Sequence, residues 1–238
     1  VSSTLFVQVK NSRQALGIFA SNYYGNPSNS LTMIGITGTN GKTTLTYLIE
    51  SILNAAGIPI GVVGTINYRF GDTSIEAKTT TPDPLVLQKT LNDMRNTGIK
   101  TVVMEVSSHA LVQHRVAGCL FNAAIWTNLT QDHLDYHHSM QTYFEAKKSL
   151  FTRYLTRSSK PEKTAIINLD DTYGNTLTRE CREIKILTYG TTPKADIHPQ
   201  KSELTEKGIQ FTAQTPRGVL TITSNLVGQY NQANLLAA

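Results

Sequence analysis

What the chain lacks narrows its class. Among its 238 residues only Cys119 and Cys181 are cysteines, far apart and in no metal-like pair. This argues against a disulfide scaffold and fits a reducing compartment, so a cytoplasmic location is expected. No apolar run approaches the length of a membrane span and no signal-peptide pattern is seen, so no membrane partner is expected. There is no internal repeat, no low-complexity tract and no initiator methionine. The chain opens within TLFVQV, a strand pattern, and closes within YNQANLLAA, the first turns of a helix, which predicts a piece of a longer protein. Charge of one sign is also scarce. Lys and Arg number 22 against 17 Asp and Glu, net +5, and the basic residues are scattered. That balance suits an anionic substrate, and no nucleic acid partner is expected.

One further absence is local. GITGTNGKTT, residues 35–44, looks like a phosphate-binding loop but lacks its usual spacing, Gly, four residues, then Gly-Lys-Ser/Thr. Counting back from Gly41 places Ile36 where the first glycine should stand, and glycines occupy 35 and 38 instead. The context is nevertheless right. An apolar strand pattern, LTMIGIT, precedes the loop, and apolar residues at helical spacing (Leu45, Leu48, Ile49, Ile52, Leu53, Ala56) follow it, with Gly57 at the helix end. Glycines admit phosphates to backbone N–H groups, and a helix N-terminus adds positive potential. Lys42 would neutralise the outer phosphates and Thr43 offers a hydroxyl to Mg²⁺.

What is present is 39% hydrophobic, enough for one large domain or one domain with part of another. The rest of the chain alternates strand and helix patterns. Residues 15–25 read as a helix and 26–30 as a turn-rich connector. IPIGVVGT is a strand, and DPLVLQKTLNDMRNTG is a helix with Pro84 near its start and Gly98 at its end. KTVVMEVS, LFNAAIWTNL and TAIINLDD are buried-type strands, and SMQTYFEAKKSLFTRYL is a long helix. Residues 196–225 change to short β-prone runs separated by EKG and TPRG, expected as antiparallel hairpins at one edge. The class is α/β: a P-loop-type, mainly parallel sheet flanked by helices, with a small antiparallel β edge near the C-terminal part.

Sites in such sheets gather at the carboxyl ends of strands. Glu105 ends one strand pattern and could hold Mg²⁺ as Walker-B acids do. Another delivers Asp132, His133, Asp135, His137 and His138. The clustering of His133, His137 and His138 leaves a zinc site open as an alternative. A nucleotide-dependent switch or binding module is a second alternative.

Six segments together resemble the Mur ligase family: GITGTNGKTT, TTPDPLVLQ (80–88), MEVSSHALVQHRV (104–116), NLTQDHLDYH (128–137), YFEAKKSLF (143–151) and GQYNQANLLAA (228–238). The family's ATP loop, Gly-x-x-Gly-Thr-x-Gly-Lys-Thr/Ser, accounts for the glycines at 35 and 38. The related folylpolyglutamate synthases usually carry Gly where this chain has Thr43. The nearest branch is the one that adds the third residue of the peptidoglycan stem. The resemblance implies the tail of an N-terminal UDP-binding domain at 1–10, a connecting helix and linker at 11–30 and a central ATP-binding domain at 31–238.

It further implies ATP-dependent amide formation through an acyl phosphate, on UDP-N-acetylmuramoyl-L-alanyl-D-glutamate and a free amino acid, by a monomer using ATP and Mg²⁺. Gly38, Thr39, Asn40, Gly41, Lys42, Thr43 and Thr44 would wrap the phosphates. Asn231 and Asn234 would lie near the adenine. Thr80, Thr81, Ser107, Gln113 and Arg115 would hold the UDP-muramoyl dipeptide, and Thr79 departs from relatives with Asn there. Thr43 and Glu105 would serve one Mg²⁺, and His133 and Lys147 a second, with Lys147 carrying a carbamate.

Overall fold

The computed structural model describes residues 6–238. In chain order the elements are α1 (Ser12–Tyr23), β1 (Thr32–Thr37), α2 (Lys42–Ala55), β2 (Ile60–Val63), β3 (Asn67–Phe70), β4 (Thr73–Glu76), α3 (Pro84–Asn96), β5 (Thr101–Glu105), α4 (Ser108–Val112), β6 (Ala123–Trp126), α5 (Leu134–His137), α6 (Met140–Ser149), β7 (Thr164–Asn168), α7 (Thr172–Glu180), β8 (Lys185–Tyr189), β9 (His198–Thr205), β10 (Gly208–Thr215), β11 (Gly218–Ser224) and α8 (Gln229–Ala237). The main sheet has the order β4-β3-β2-β5-β1-β6-β7-β8. Its six strands from β2 to β8 run parallel, and the β3–β4 hairpin is antiparallel.

Alternation along the central strands builds two cores, because successive strand side chains point to opposite faces. Met33, Val102, Met104 and Trp126 pack on the face covered by α3 and α6. Ile36, Val103 and Ile125 pack on the other face, against Leu45 and Ile49 of α2 and Leu236 of α8. Both faces are covered, as a parallel sheet requires. No helix among the described residues is long and apolar enough to cross a membrane.

Two sequence expectations change and one is met. The TLFVQV strand lies partly outside the described residues, and its described part, residues 6–9, forms no strand among the described residues; Phe6 is 88% exposed. The antiparallel hairpins expected at 196–225 are present: β9, β10 and β11 form a small sheet of their own in the order β11-β10-β9, whose Ile209, Phe211 and Ala213 turn onto the α2 and α8 core, and among the described residues a single bridge, Tyr189 to Ile197, links it to the main sheet. A second antiparallel element, which the sequence did not announce, is β3–β4, two four-residue strands around a turn at Gly71 (φ +50°). These strands are too short and too polar for a period-2 pattern to stand out. The long helix of 139–155 is α6 continued as a π-helical turn, Leu150–Leu155.

Candidate active site

The strand order reverses at β1, which lies between β5 and β6 although the chain leaves it for β2. A crevice opens at the carboxyl ends of strands at such a point. The loop after β1, the loop after β5 and the loop after β6 therefore meet there.

The loop after β1 is held from both ends. Gly38 (φ +145°) packs so closely on Thr127 that a Cβ would overlap its Oγ1. Thr39 N donates to Asn128 O at 2.8 Å, Asn40 N donates to Asn128 Oδ1 at 3.0 Å, and Thr127 Oγ1 donates to Asn40 O at 2.6 Å. Gly41 (φ +89°) then turns the chain into α2, whose first turn has no side-chain cap. Uncapped N–H groups at a helix start form an anion site. They face a cavity of about 270 Å³ lined by Thr39, Asn40, Gly41, Lys42, Thr43, Thr44, Thr65, Thr80, Glu105, Ser107 and His133. Lys42 Nζ donates to Gly38 O at 2.9 Å and Thr39 O at 2.8 Å. Burial lowers its pKa, and the charges of Glu105 and Asp132 partly oppose the shift.

Glu105 ends β5 and is 1% exposed. Its carboxylate accepts from Thr43 Oγ1 at 3.0 Å on both oxygens, from Thr65 N at 2.9 Å and from Thr65 Oγ1 at 3.0 Å. Among the described residues no basic side chain forms a salt bridge with it. Thr65 was not singled out from the sequence. It stands two residues past the end of β2, whereas Glu105 is the last residue of β5, and reading the residues after every strand for polar groups would have found it.

The predicted substrate residues divide. Thr80 and Ser107 line the cavity, and Ser107 also caps α4 by accepting from Ala110 N at 3.2 Å. Thr81 is fully buried. Its hydroxyl donates to Glu105 O at 2.8 Å and accepts from Ser107 N at 3.1 Å. Arg115 is braced by Thr81 O at 2.8 Å and Gln113 Oε1 at 2.8 Å. Gln113, Arg115 and Thr79 line a neighbouring cavity of about 450 Å³.

His133 (φ +53°) stands exposed before α5, its ring edge-on to His109 at 4.9 Å. His137 is instead buried, with Nε2 2.9 Å from Ser108 Oγ, and His138 is exposed. Among the described residues no three His, Cys, Asp or Glu side chains are grouped to hold a metal, so the zinc alternative finds no site. Lys147 is 2% exposed and does not line the cavity; Nζ reaches Gly38 O at 2.8 Å and lies 4.6 Å over the Tyr143 ring. Burial, then the charge of Lys42, lowers its pKa well below the ordinary lysine value.

On the far side of the loop a cavity of about 970 Å³ is lined by Asn40, Gly41, Thr44, Asp170, Thr191, Tyr230 and Asn234 among others. Asn234 is in its wall. Asn231 is buried behind it, donating to Val227 O at 2.8 Å and accepting from Asn234 Nδ2 at 3.2 Å.

A sequence profile of the Mur ligase middle domain matches residues 36–238. The chain belongs to the Mur ligase family. It is 46% identical over 234 residues to the UDP-N-acetylmuramoyl-L-alanyl-D-glutamate--2,6-diaminopimelate ligase of Geobacter metallireducens, covering 98% of this chain and 46% of that protein. The ligase of the same name from Gloeobacter violaceus is 51% identical over 219 residues, 92% of this chain and 43% of that one. A solved structure of a ligase with this name matches at TM-score 0.85 and 33% identity, covering 94% of this chain and 46% of that one. The Mur ligase chain therefore spans just under half the length of these relatives. MurF ligase from Thermotoga maritima, at 18% identity and TM-score 0.70 over all of this chain and 50% of that one, shares the fold.

Proposed function

We propose that the chain is the nucleotide-binding central part of a ligase. The whole ligase, of which this chain alone would be an inactive part without the family's C-terminal domain, would use ATP to activate the free carboxylate of UDP-N-acetylmuramoyl-L-alanyl-D-glutamate and join it to the amine of 2,6-diaminopimelate, in the cytoplasm and as a monomer. The substrate and the amino acid follow the names of the relatives. On this reading residues 31–238 form the ATP-binding domain, 11–30 its connecting helix and linker, and 1–10 the tail of a UDP-binding domain. The observation that carries the proposal is the meeting of Thr43 and Glu105 beneath the uncapped start of α2.

That pair also tests the fit of Mg²⁺. The donors are oxygens, which Mg²⁺ prefers, and a buried carboxylate without a salt bridge suits a cation. Thr43 and Glu105 would hold one ion, and His133 with a carbamate on Lys147 a second. When bound, Mg²⁺ offsets phosphate charge. The N–H groups from Gly41 to Thr44 would hold the ATP phosphates, and Lys42 would exchange its two loop carbonyls for phosphate oxygens. Arg115, already braced, would hold the acyl substrate through paired N–H donors. The substrate's carboxylate oxygen would attack the γ-phosphorus and ADP would leave; the neutral amine would then attack the acyl carbon, the bond to phosphate would break, and the amine proton would pass to the departing phosphate. Positioning of like-charged reactants is the main demand of the first step.

The lowered pKa of Lys147 favours the neutral amine that CO₂ requires. The amine nitrogen would bond the CO₂ carbon and release a proton. The anionic carbamate would then sit beside Lys42, replacing repulsion by attraction.

Calorimetry of this chain with MgATP tests the proposal. MgATP should bind, and Lys42→Ala should weaken it about tenfold or more, the loss expected of a charge-assisted hydrogen bond. Absence of MgATP binding would sink it.

A further inference from the structure

The β2–β3 loop enters the site without a role in the chemistry above. β2 pairs in parallel with β5, with Val63 opposite Met104, so the residues leaving β2 run beside Glu105. Gly64 comes so close that a Cβ would stand 2.6 Å from Glu105 Oε1. Thr65 follows it and binds both carboxylate oxygens, with its N–H on Oε1 and its hydroxyl on Oε2. The same hydroxyl lies 3.2 Å from Thr80 Oγ1.

We propose that Thr65 is a positioning residue that aims the Glu105 carboxylate at the cation and couples it to Thr80 on the acyl-substrate side. The inference rests on the proposed function, since it presumes that Glu105 holds Mg²⁺. A hydroxyl has one proton and two lone pairs. The carboxylate is the stronger acceptor, so Thr65 donates to Glu105 and accepts from Thr80. Thr80 is then left presenting lone pairs to the cavity. With a cation held by Glu105, the carboxylate would be a weaker acceptor. The Thr65 hydroxyl could then donate to Thr80 instead, and Thr80 would have its own proton free for an anionic substrate. Coupling of this kind is reciprocal: whatever the cation does for the substrate, the substrate does for the cation.

The test is ADP binding to this chain by calorimetry across a MgCl₂ series and in excess EDTA, for wild type, Thr65→Val, Thr65→Ala and Thr65→Ser. The residue is exposed on a loop, so the variants keep the fold. Valine and alanine should raise the Mg²⁺ concentration for half-maximal enhancement about tenfold, the effect of losing one hydrogen bond to a charged group. Serine should restore it, and binding in EDTA should not move. A Mg²⁺ midpoint unchanged in both Val and Ala, or a loss of equal size in EDTA, overturns the inference while leaving the proposed function standing. Wild-type chain that binds no ADP overturns both.

Discussion

Lys42 and Lys147 aim their side-chain nitrogens at one oxygen, the carbonyl of Gly38, at 2.9 and 2.8 Å. Two unit positive charges gathered on one oxygen repel by a few kcal/mol at an effective dielectric near 20. Burial adds to that penalty, and Lys147, the deeper of the two, has its pKa pushed well below 10.5. Between the folded and unfolded values the unfolded chain binds more protons, so this group makes stability rise with pH through that window. In CO₂-free buffer, urea unfolding of wild type should therefore gain on Lys147→Met as pH climbs from 7 toward 10. At pH 7 the methionine variant should be the more stable, by about 1–3 kcal/mol, as replacement of a buried charge by a packed apolar group allows. Bicarbonate should stabilise wild type and leave the variant unmoved. Parallel pH curves would show that Lys147 is not the strained group.

Gly38→Ala probes the loop itself. The position combines φ +145° with a Cβ position already filled by Thr127. Strain of both kinds is expected to cost about 2 kcal/mol or more, read as a lowered urea midpoint with unchanged slope.

Thr80 and Thr81 are adjacent and should behave oppositely. Thr81→Val leaves the buried Glu105 carbonyl and Ser107 N–H without their partner, which should destabilise by about 1–3 kcal/mol. Thr80→Val should alter thermal stability by less than about 0.5 kcal/mol and weaken binding of the UDP-muramoyl dipeptide. Equal stability losses in the two variants would erase the distinction.

His137 packs against Tyr143 and Ser108, and burial lowers its pKa to about 4, with the positive charges around it, those of His109, Lys147 and His133, acting the same way and Asp135 opposing. Its folded value lies below the ordinary 6.5, so the stability it contributes is complete above pH 6.5 and is lost as pH falls toward 4. Acid unfolding followed by circular dichroism should begin at lower pH in His137→Gln than in wild type, once both are referred to their stability at pH 7. An unchanged acid profile would mean that the ring titrates freely.

The local order of the chain was legible in its residues. Apolar periods of two and of about 3.6 marked the parallel strands and the helices around the loop, and glycines at 38 and 41 marked a backbone that only glycine follows easily. Lys42, Thr43 and Glu105 could be read as one site because strand ends of such a sheet share an edge. Tertiary structure alone decided the rest. Nothing local shows that β2 lies beside β5, so Thr65 stayed unseen until the strands paired. Thr80 and Thr81 differ by one position, yet the fold buries one and opens the other. Family resemblance alone set Lys147 apart from Lys148; the physical difference comes from α6, which turns Lys147 under the Gly38 carbonyl and leaves Lys148 to Glu145 and Glu180. The reason is physical: periodicity records which face of an element is apolar, while contacts between elements distant in the chain depend on which faces pack together.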